Sequence, residues 1–378
     1  MQKKIGILTF HFKDNFGAVL QCYAMQEFLT SKGYRVEVIN FKPGDFRTLG
    51  SIVKHQLKYL IKNYKLLNIV SYYNLIRSLV IQTKKFRAFR GNFLKSSKHY
   101  NSNNFDHDLN DYDIIVTGSD QIWNSINSYA KAYFLKPFLD YNGKKIAYAA
   151  CRGVKSSLPN EVNYLKDAFE NYDWIGVRDN QTKEFVQKIS DASADVVCDP
   201  SMLIDYSGFL SNNRVIEGNY ILVYVLGKEI DGGHLNVINK IKEQHGDLKI
   251  VACYLTNKNP NYFTFADEHI YDASPIEWIN LINQSNFFYT DSFHGALFAT
   301  KFKKRFLAFY SDKIRSSRLI DISSRLKLSN NIVSSFSDAL ERKCFKNSEI
   351  KEITYERYDD LVSTSINLLS TNLTSNFK

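Results

Sequence analysis

The segment Thr290-Asp291-Ser292-Phe293-His294-Gly295 puts an imidazole at the point where an apolar run, Phe287 to Thr290, gives way to a helical pattern from about Ala296. A histidine there can give or take a proton near neutral pH. The start of a helix offers unpaired N–H groups and partial positive charge, which suit a phosphate or a carboxylate. Ser292 can cap the helix or donate its hydroxyl to a ligand, and Gly295 permits close backbone approach. The plain alternative is an N-cap at Asp291 or Ser292 beside a packed histidine.

Three further groups stand at similar junctions. Thr117-Gly-Ser119-Asp120-Gln121-Ile-Trp123-Asn124 follows the apolar run Asp113 to Thr117. Gly and Ser there can cradle an anion, Asp120, Gln121 and Asn124 match sugar hydroxyls, and Trp123 can stack on a sugar face. A capped helix with a buried Trp explains the same residues. Asn15-Phe16-Gly17 follows the first strand, with His11 and Asp14 beside it, in a spacing that is not the dinucleotide-binding G-x-G-x-x-G. Arg152 and Arg178 follow strand patterns, and Arg315 and Arg318 open a helix from Ile314 to Leu326. Guanidinium forks match carboxylate and phosphate oxygens, although a single arginine more often makes a surface ion pair.

The elements that must position these groups read as alternating strands and helices. Residues 5–10, Arg35 to Asn40, Asp113 to Thr117, Lys145 to Ala150, Trp174 to Arg178 and Val196 to Cys198 form strand patterns in the first half. Tyr220 to Leu226, Leu248 to Tyr254, Phe287 to Thr290 and Arg305 to Phe309 do so in the second. Helical spacing separates them, which predicts α/β architecture: two Rossmann-like domains with parallel sheets. We place the first at 1–200, with a helical insertion at about 51–100 read as two or three helices, and the second at 201–350. A C-terminal helix and a frayed tail occupy 351–378. Ligands of such sheets lie beyond the carboxyl ends of the strands, where the four groups fall.

Composition narrows the class. A chain of 378 residues usually exceeds one core. Its five cysteines (Cys22, Cys151, Cys198, Cys253, Cys344) form no C-x-x-C pair, which argues against structural zinc and suits a reducing compartment. The first residues lack a secretory pattern and no apolar stretch has membrane-spanning length, so a cytoplasmic location is expected. The net charge is +10, and residues 51–100 hold eight Lys, three Arg and no acidic residue, so basicity belongs to one segment. Such a segment is either a solvated face or a docking surface for anionic lipid, with the chain peripheral at the inner membrane face. No nucleic-acid motif accompanies it.

Taken in order, the motifs resemble those of the polysaccharide pyruvyl transferase family. The matching pieces are Asn15-Phe-Gly-Ala-Val-Leu-Gln21, Gly118 to Asn124, Ala147-Tyr-Ala-Ala150, Gly176-Val-Arg-Asp179, Asp199-Pro-Ser201, Thr290 to Gly295 and the stretch from Arg315 to Leu328. They span roughly residues 5–330. The resemblance implies a fold similar to GT-B glycosyltransferases and transfer of a pyruvyl group from phosphoenolpyruvate to sugar hydroxyls, as a cyclic ketal with release of phosphate. It implies no cofactor, metal or nicotinamide, and a sugar acceptor that can be lipid-linked. On this reading His294 is the acid/base, and Arg178, Arg152, Arg315 and Arg318, with Ser292 and Gly295, hold the donor. Asn15, Gly17, Ser119, Asp120, Gln121, Trp123 and Asn124 hold the acceptor or shape the cleft. Two departures stand out. Many relatives have Arg where this chain has Ser292, and many have Ser-Phe-Gly where it has Cys151-Arg152-Gly153, so Arg152 is a candidate replacement for the missing cation. The rival readings are a GT-B glycosyltransferase with a nucleotide-sugar donor and an inactive glycan- or lipid-binding scaffold.

Overall fold

The computed structural model describes residues 2–42, 50, 53–54, 58, 69–101, 109–124, 130–133, 141–153, 162–255, 263–311 and 316–375. Arg315 and most of the basic segment before residue 69 lie outside the described residues.

The first lobe contains β1 (Lys4–Leu8), α1 (Phe16–Ser31), β2 (Arg35–Phe41), α2 (Ile69–Phe93), β3 (Ser96–Tyr100), β4 (Ile114–Thr117), β5 (Lys144–Ala150), α3 (Val162–Glu170), β6 (Trp174–Val177), α4 (Asn180–Ile189) and β7 (Asp195–Val196). Its strands form one parallel sheet in the order β3-β2-β1-β4-β5-β6-β7. The second lobe contains β8 (Tyr220–Tyr224), α5 (His234–His245), β9 (Lys249–Cys253), β10 (Glu268–Ile270), α6 (Pro275–Gln284), β11 (Phe287–Thr290), α7 (Phe293–Lys301), β12 (Phe306–Phe309), α8 (Ser317–Leu326), β13 (Ile332–Val333), α9 (Phe336–Glu341) and α10 (Glu352–Thr374). Its parallel sheet runs β10-β9-β8-β11-β12-β13. Both sheets are doubly wound, with the strand order reversing between β1 and β4 and between β8 and β11.

Central strands such as β4 and β8 are buried at every position, as a sheet covered on both faces requires. The strands absent from the sequence reading lie at sheet margins. β3 carries Ser96-Ser-Lys-His-Tyr100, three of whose five residues are exposed, and β10 and β13 are only three and two residues long.

The lobes share one continuous apolar core. Phe16 at the start of α1 stacks on Trp278 of α6, with ring centroids 5.1 Å apart and planes within 8°. From α2, Gln82 donates to the carbonyls of Tyr254 and Ala273, and Lys85 pairs with Glu277 at 2.9 Å. The sequence predicts two or three helices over 51–94; residues 53, 54 and 58 are helical and α2 is one long helix that acts as a strut between lobes. α10 returns to the first lobe: Ser365 Oγ accepts from Cys198 N at 2.8 Å, and Lys144 Nζ donates to the Ser375 carbonyl at 2.7 Å. Leu369 and Leu373 are buried, so the helix expected within 351–378 is packed through its last turns.

Candidate active site

The two points of strand-order reversal face each other. In the first lobe Leu8 of β1 and Thr117 of β4 are register partners, and the chain leaves them toward Asn15-Gly17 and Gly118-Asn124. In the second, Tyr224 of β8 pairs with Thr290 of β11. Thr290 Oγ1 donates to the Tyr224 carbonyl, and the Asp291 carboxylate accepts from Leu226 N and Gly227 N at 2.7 and 2.6 Å. That lashing fixes the turn into α7, so His294 projects from the first turn of that helix toward the first lobe. Gly17 meets it there. A Cβ on Gly17 would collide with the His294 ring, so the close approach of α1 to the imidazole requires glycine.

The group opposite His294 is Asp199, at the end of the chain leaving β7. Its side chain is fully buried. Oδ2 accepts from Arg178 Nη1 at 2.8 Å and from Ser119 Oγ at 3.1 Å, and it faces His294 Nε2 at 3.5 Å. Oδ1 accepts from Ser201 N at 3.0 Å. Arg178, just past β6, also reaches Asp120 Oδ1 at 3.5 Å. The Ser119 loop is held from below: Thr9 Oγ1 donates to the Ser119 carbonyl, and Gln21 Oε1 accepts from Ser119 N. A carboxylate from the inter-lobe crossing thus bridges a guanidinium of one lobe to an imidazole of the other.

Two buried side-chain nitrogens beside Asp199 lack a hydrogen bond: Arg178 Nε, and His294 Nε2, whose nearest charged partner is Asp199 at 3.5 Å. Buried donors without partners are costly, and their clustering marks a place where a ligand oxygen can be received. Burial alone would raise the Asp199 carboxyl, but His294 and Arg178 outweigh it and hold the group well below the usual carboxylate range. Burial likewise opposes ionisation of Asp120, and Arg178, then His294 and Arg318, reverse the balance and lower it. Arg178 stays charged: burial opposes its charge, and the ionised Asp199 and Asp120 outweigh that cost.

A second guanidinium approaches from α8. Arg318 Cζ lies 5.7 Å from the Phe293 ring centroid, and Arg178 Cζ lies 4.6 Å from the same ring. The Gln121 amide, oriented by hydrogen-bonding sense, turns its oxygen to Arg318 and accepts from Nη2 at 2.6 Å and Nη1 at 3.0 Å. Burial, then the neighbouring Arg178, lowers Arg318 from its ordinary value. The Asp120 carboxylate acts on both guanidinium groups, so the cleft gathers two arginines around shared carboxylates.

The remaining sequence candidates serve other ends. Ser292 is the N-cap of α7 and accepts from Gly295 N at 3.2 Å, and a Cβ on Gly295 would press on Thr290 and Phe288, so both residues set the helix against β11. Asn15 caps α1 by accepting from Ala18 N. Trp123 corrects an expectation: it is 1% exposed, its Nε1–H goes to the Tyr133 carbonyl and its ring packs edge-on against Phe169, so it presents no face to a sugar. Asn124 closes the same turn, its N–H donating to the Gln121 carbonyl. Arg152 lies with Cζ 3.8 Å from the Phe185 ring of α4, and Cys151 donates its thiol to Asp179, the N-cap of α4. Burial, then Asp179, pushes that thiol up to about 12, which leaves it unreactive. Asp199 enters the sequence analysis only within the Asp199-Pro-Ser201 motif, and Phe293 only within Thr290 to Gly295. The Asp-Pro step after a strand was the available signal for Asp199.

The family model for polysaccharide pyruvyl transferase matches residues 15–313. The chain belongs to the polysaccharide pyruvyl transferase family. No curated protein matches it by sequence. Among solved structures, HepE of Anabaena in complex with UDP-glucose is similar at TM-score 0.55 and 9% identity, covering 97% of this chain and 99% of that one. A UDP-N-acetylglucosamine 2-epimerase from Listeria monocytogenes is similar at TM-score 0.53 and 11% identity, covering 98% and 96%. That of Neisseria meningitidis bound to UDP-GlcNAc is similar at 0.51 and 10%, covering 99% and 100%. These likenesses establish the GT-B-like two-lobe fold. The Ser292 hydroxyl is committed to its cap, and the guanidinium groups sharing the adjacent Phe293 ring are Arg178 and Arg318.

Proposed function

We propose that the chain transfers the pyruvyl group of phosphoenolpyruvate to two hydroxyls of a sugar, forming a cyclic ketal on a surface polysaccharide precursor. What supports this beyond family membership is one arrangement in the cleft between lobes: His294 and Arg178 on Asp199, with Arg318 beside the Phe293 ring that Arg178 also meets. Phosphoenolpyruvate carries a phosphate and a carboxylate, and Arg178 and Arg318 would receive these anions. Protonation of the methylene carbon makes the adjacent carbon electrophilic, and His294 would deliver that proton from Nε2, which makes no hydrogen bond and faces Asp199 at 3.5 Å. Asp199 is its counter-ion while the ring holds a proton. One sugar hydroxyl then adds to the electrophilic carbon, phosphate leaves, and the second hydroxyl closes the ring. Of the two hydroxyl protons released, one replaces the proton spent on the methyl group and the other leaves with phosphate.

No helix among the described residues is long and apolar enough to cross a membrane. Lys85 and Arg90 of α2 are consumed in pairs with Glu277 and Asp14, while Arg77, Lys84 and Arg87 face outward. We read that outer face as the side turned to an anionic membrane on the cytoplasmic side, where a lipid-linked acceptor would be met.

The test is phosphate release from phosphoenolpyruvate in the presence of acceptor. His294→Ala should lower turnover by on the order of 10²–10⁴-fold, the usual worth of a general acid. Near-normal turnover would remove His294 from the chemistry. Thermal stabilisation by a UDP- or GDP-sugar, with none by phosphoenolpyruvate, would replace the reading with glycosyl transfer.

A further inference from the structure

Helix α8 has two faces. Leu319, Ile322 and Leu326 are buried in the core of the second lobe. Arg318, Asp321 and Arg325, at i, i+3 and i+7, share another face, and each bonds across the cleft to the first lobe. Arg318 donates to Gln121 after β4. Asp321 Oδ1 accepts from both the backbone N and the side-chain Nδ2 of Asn180, at 3.2 and 2.7 Å. Arg325 Nη1 donates to the carbonyl of Arg178 at 3.0 Å and to Asp321 Oδ2 at 3.2 Å. Asp321 and Arg325 are mostly covered, at 12% and 17% side-chain exposure, so the pair is shielded from solvent and its geometry is fixed by partners on both sides.

We infer that Asp321 and Arg325 are positioning residues for donor binding, forming a latch that holds the Arg178–Asn180 backbone against α8 and so keeps the two guanidinium groups converged on one anion. The inference rests on the proposed donor site but assigns residues outside it. Neither side chain is placed to touch phosphoenolpyruvate. They act through the main chain of Arg178, whose own side chain is oriented by Asp199 and Asp120. An open chain would separate Arg178, on the first lobe, from Arg318, on the second. The affinity for a dianion would then fall by the fraction of molecules that are closed. A helix that carries a donor-binding arginine and two latch residues on one face makes closing the lobes and completing the anion site a single event.

The experiment uses the full chain with Asp321→Ala, Asn180→Ala and the double variant, measured by phosphate-release kinetics and by small-angle scattering without ligand. Asn180 is an exposed partner, so its truncation leaves the cores intact. The expected result is a KM for phosphoenolpyruvate raised about tenfold in each single variant, with kcat changed far less. The double variant should be no worse than the singles, because the two residues form one contact. Each variant should also show a larger radius of gyration than the parent. If the scattering is unchanged and KM stays at the parent value, the latch is refuted. It is equally refuted if kcat falls while KM and scattering do not move. Should the parent chain ignore phosphoenolpyruvate altogether, the donor reading fails, and the scattering comparison still decides whether the latch holds the lobes together.

Discussion

Two positively charged regions of this molecule obey different rules. The segment 51–100 holds eleven basic residues and no acidic one, yet the part of it that is described spends Lys85 and Arg90 on ion pairs and turns the rest to solvent, where water and salt screen them. The cleft has far fewer cations, but Arg178 is 2% exposed and shares the Phe293 ring with Arg318, while Asp199 ties it to His294. Charge count is therefore a poor guide to chemistry. Burial, convergence and unpartnered donor atoms mark the place where a small anion can be bound and protonated.

Removing the cleft's central carboxylate should show that contrast at its strongest. Asp199→Ala strips a buried partner from Arg178, Ser119 and His294, and breaking such a pair costs about 3–5 kcal/mol. Denaturant titration should show that loss, together with loss of phosphate release. The parent should also carry an acid limb of stability. Asp199 and Asp120 are lowered in the folded state, so the stability they contribute is complete above about pH 4 and drains away as pH falls toward their folded values. The Asp199→Ala variant should lose the larger share of that limb, and an unchanged acid profile would break the account of the carboxylate.

The outer face of α2 should behave in the opposite way. Replacing Arg77, Lys84 and Arg87 together with alanine should leave stability within about 0.5 kcal/mol per site and leave turnover on a soluble acceptor intact. It should weaken binding to anionic vesicles at low salt by about 1 kcal/mol per residue removed. Vesicle binding that ignores both the substitutions and ionic strength would erase the distinction between the two regions.

How much of this was legible in the sequence depends on what kind of contact each residue makes. Buried parallel strands announce themselves as apolar runs, and the β–loop–α junctions place Ser119, Arg178 and His294 at strand ends, so the architecture and half of the site follow from local pattern. Asp199 is legible only as part of the Asp199-Pro-Ser201 motif, and its role is tertiary: its partners Ser201, Arg178, Ser119 and His294 stand 2, 21, 80 and 95 positions away. Asp321 and Arg325 read as an ordinary i, i+4 surface pair, and only the position of Asn180 and Arg178 across the cleft gives them a role. Trp123 shows the converse. An aromatic among polar residues after a strand suits a sugar platform, but the turn carries it inward to Phe169 and Tyr133. Arg152 has the right chemistry for a donor cation, and the packing of Phe185 decides where its guanidinium lies.

The most direct measurement is a crystal structure of the chain with phosphoenolpyruvate bound. The account predicts density for one molecule in the cleft, its anionic groups on Arg178 and Arg318 and its methylene carbon within reach of His294 Nε2. Phosphoenolpyruvate bound elsewhere, or a cleft that takes a nucleotide sugar in its place, would contradict it.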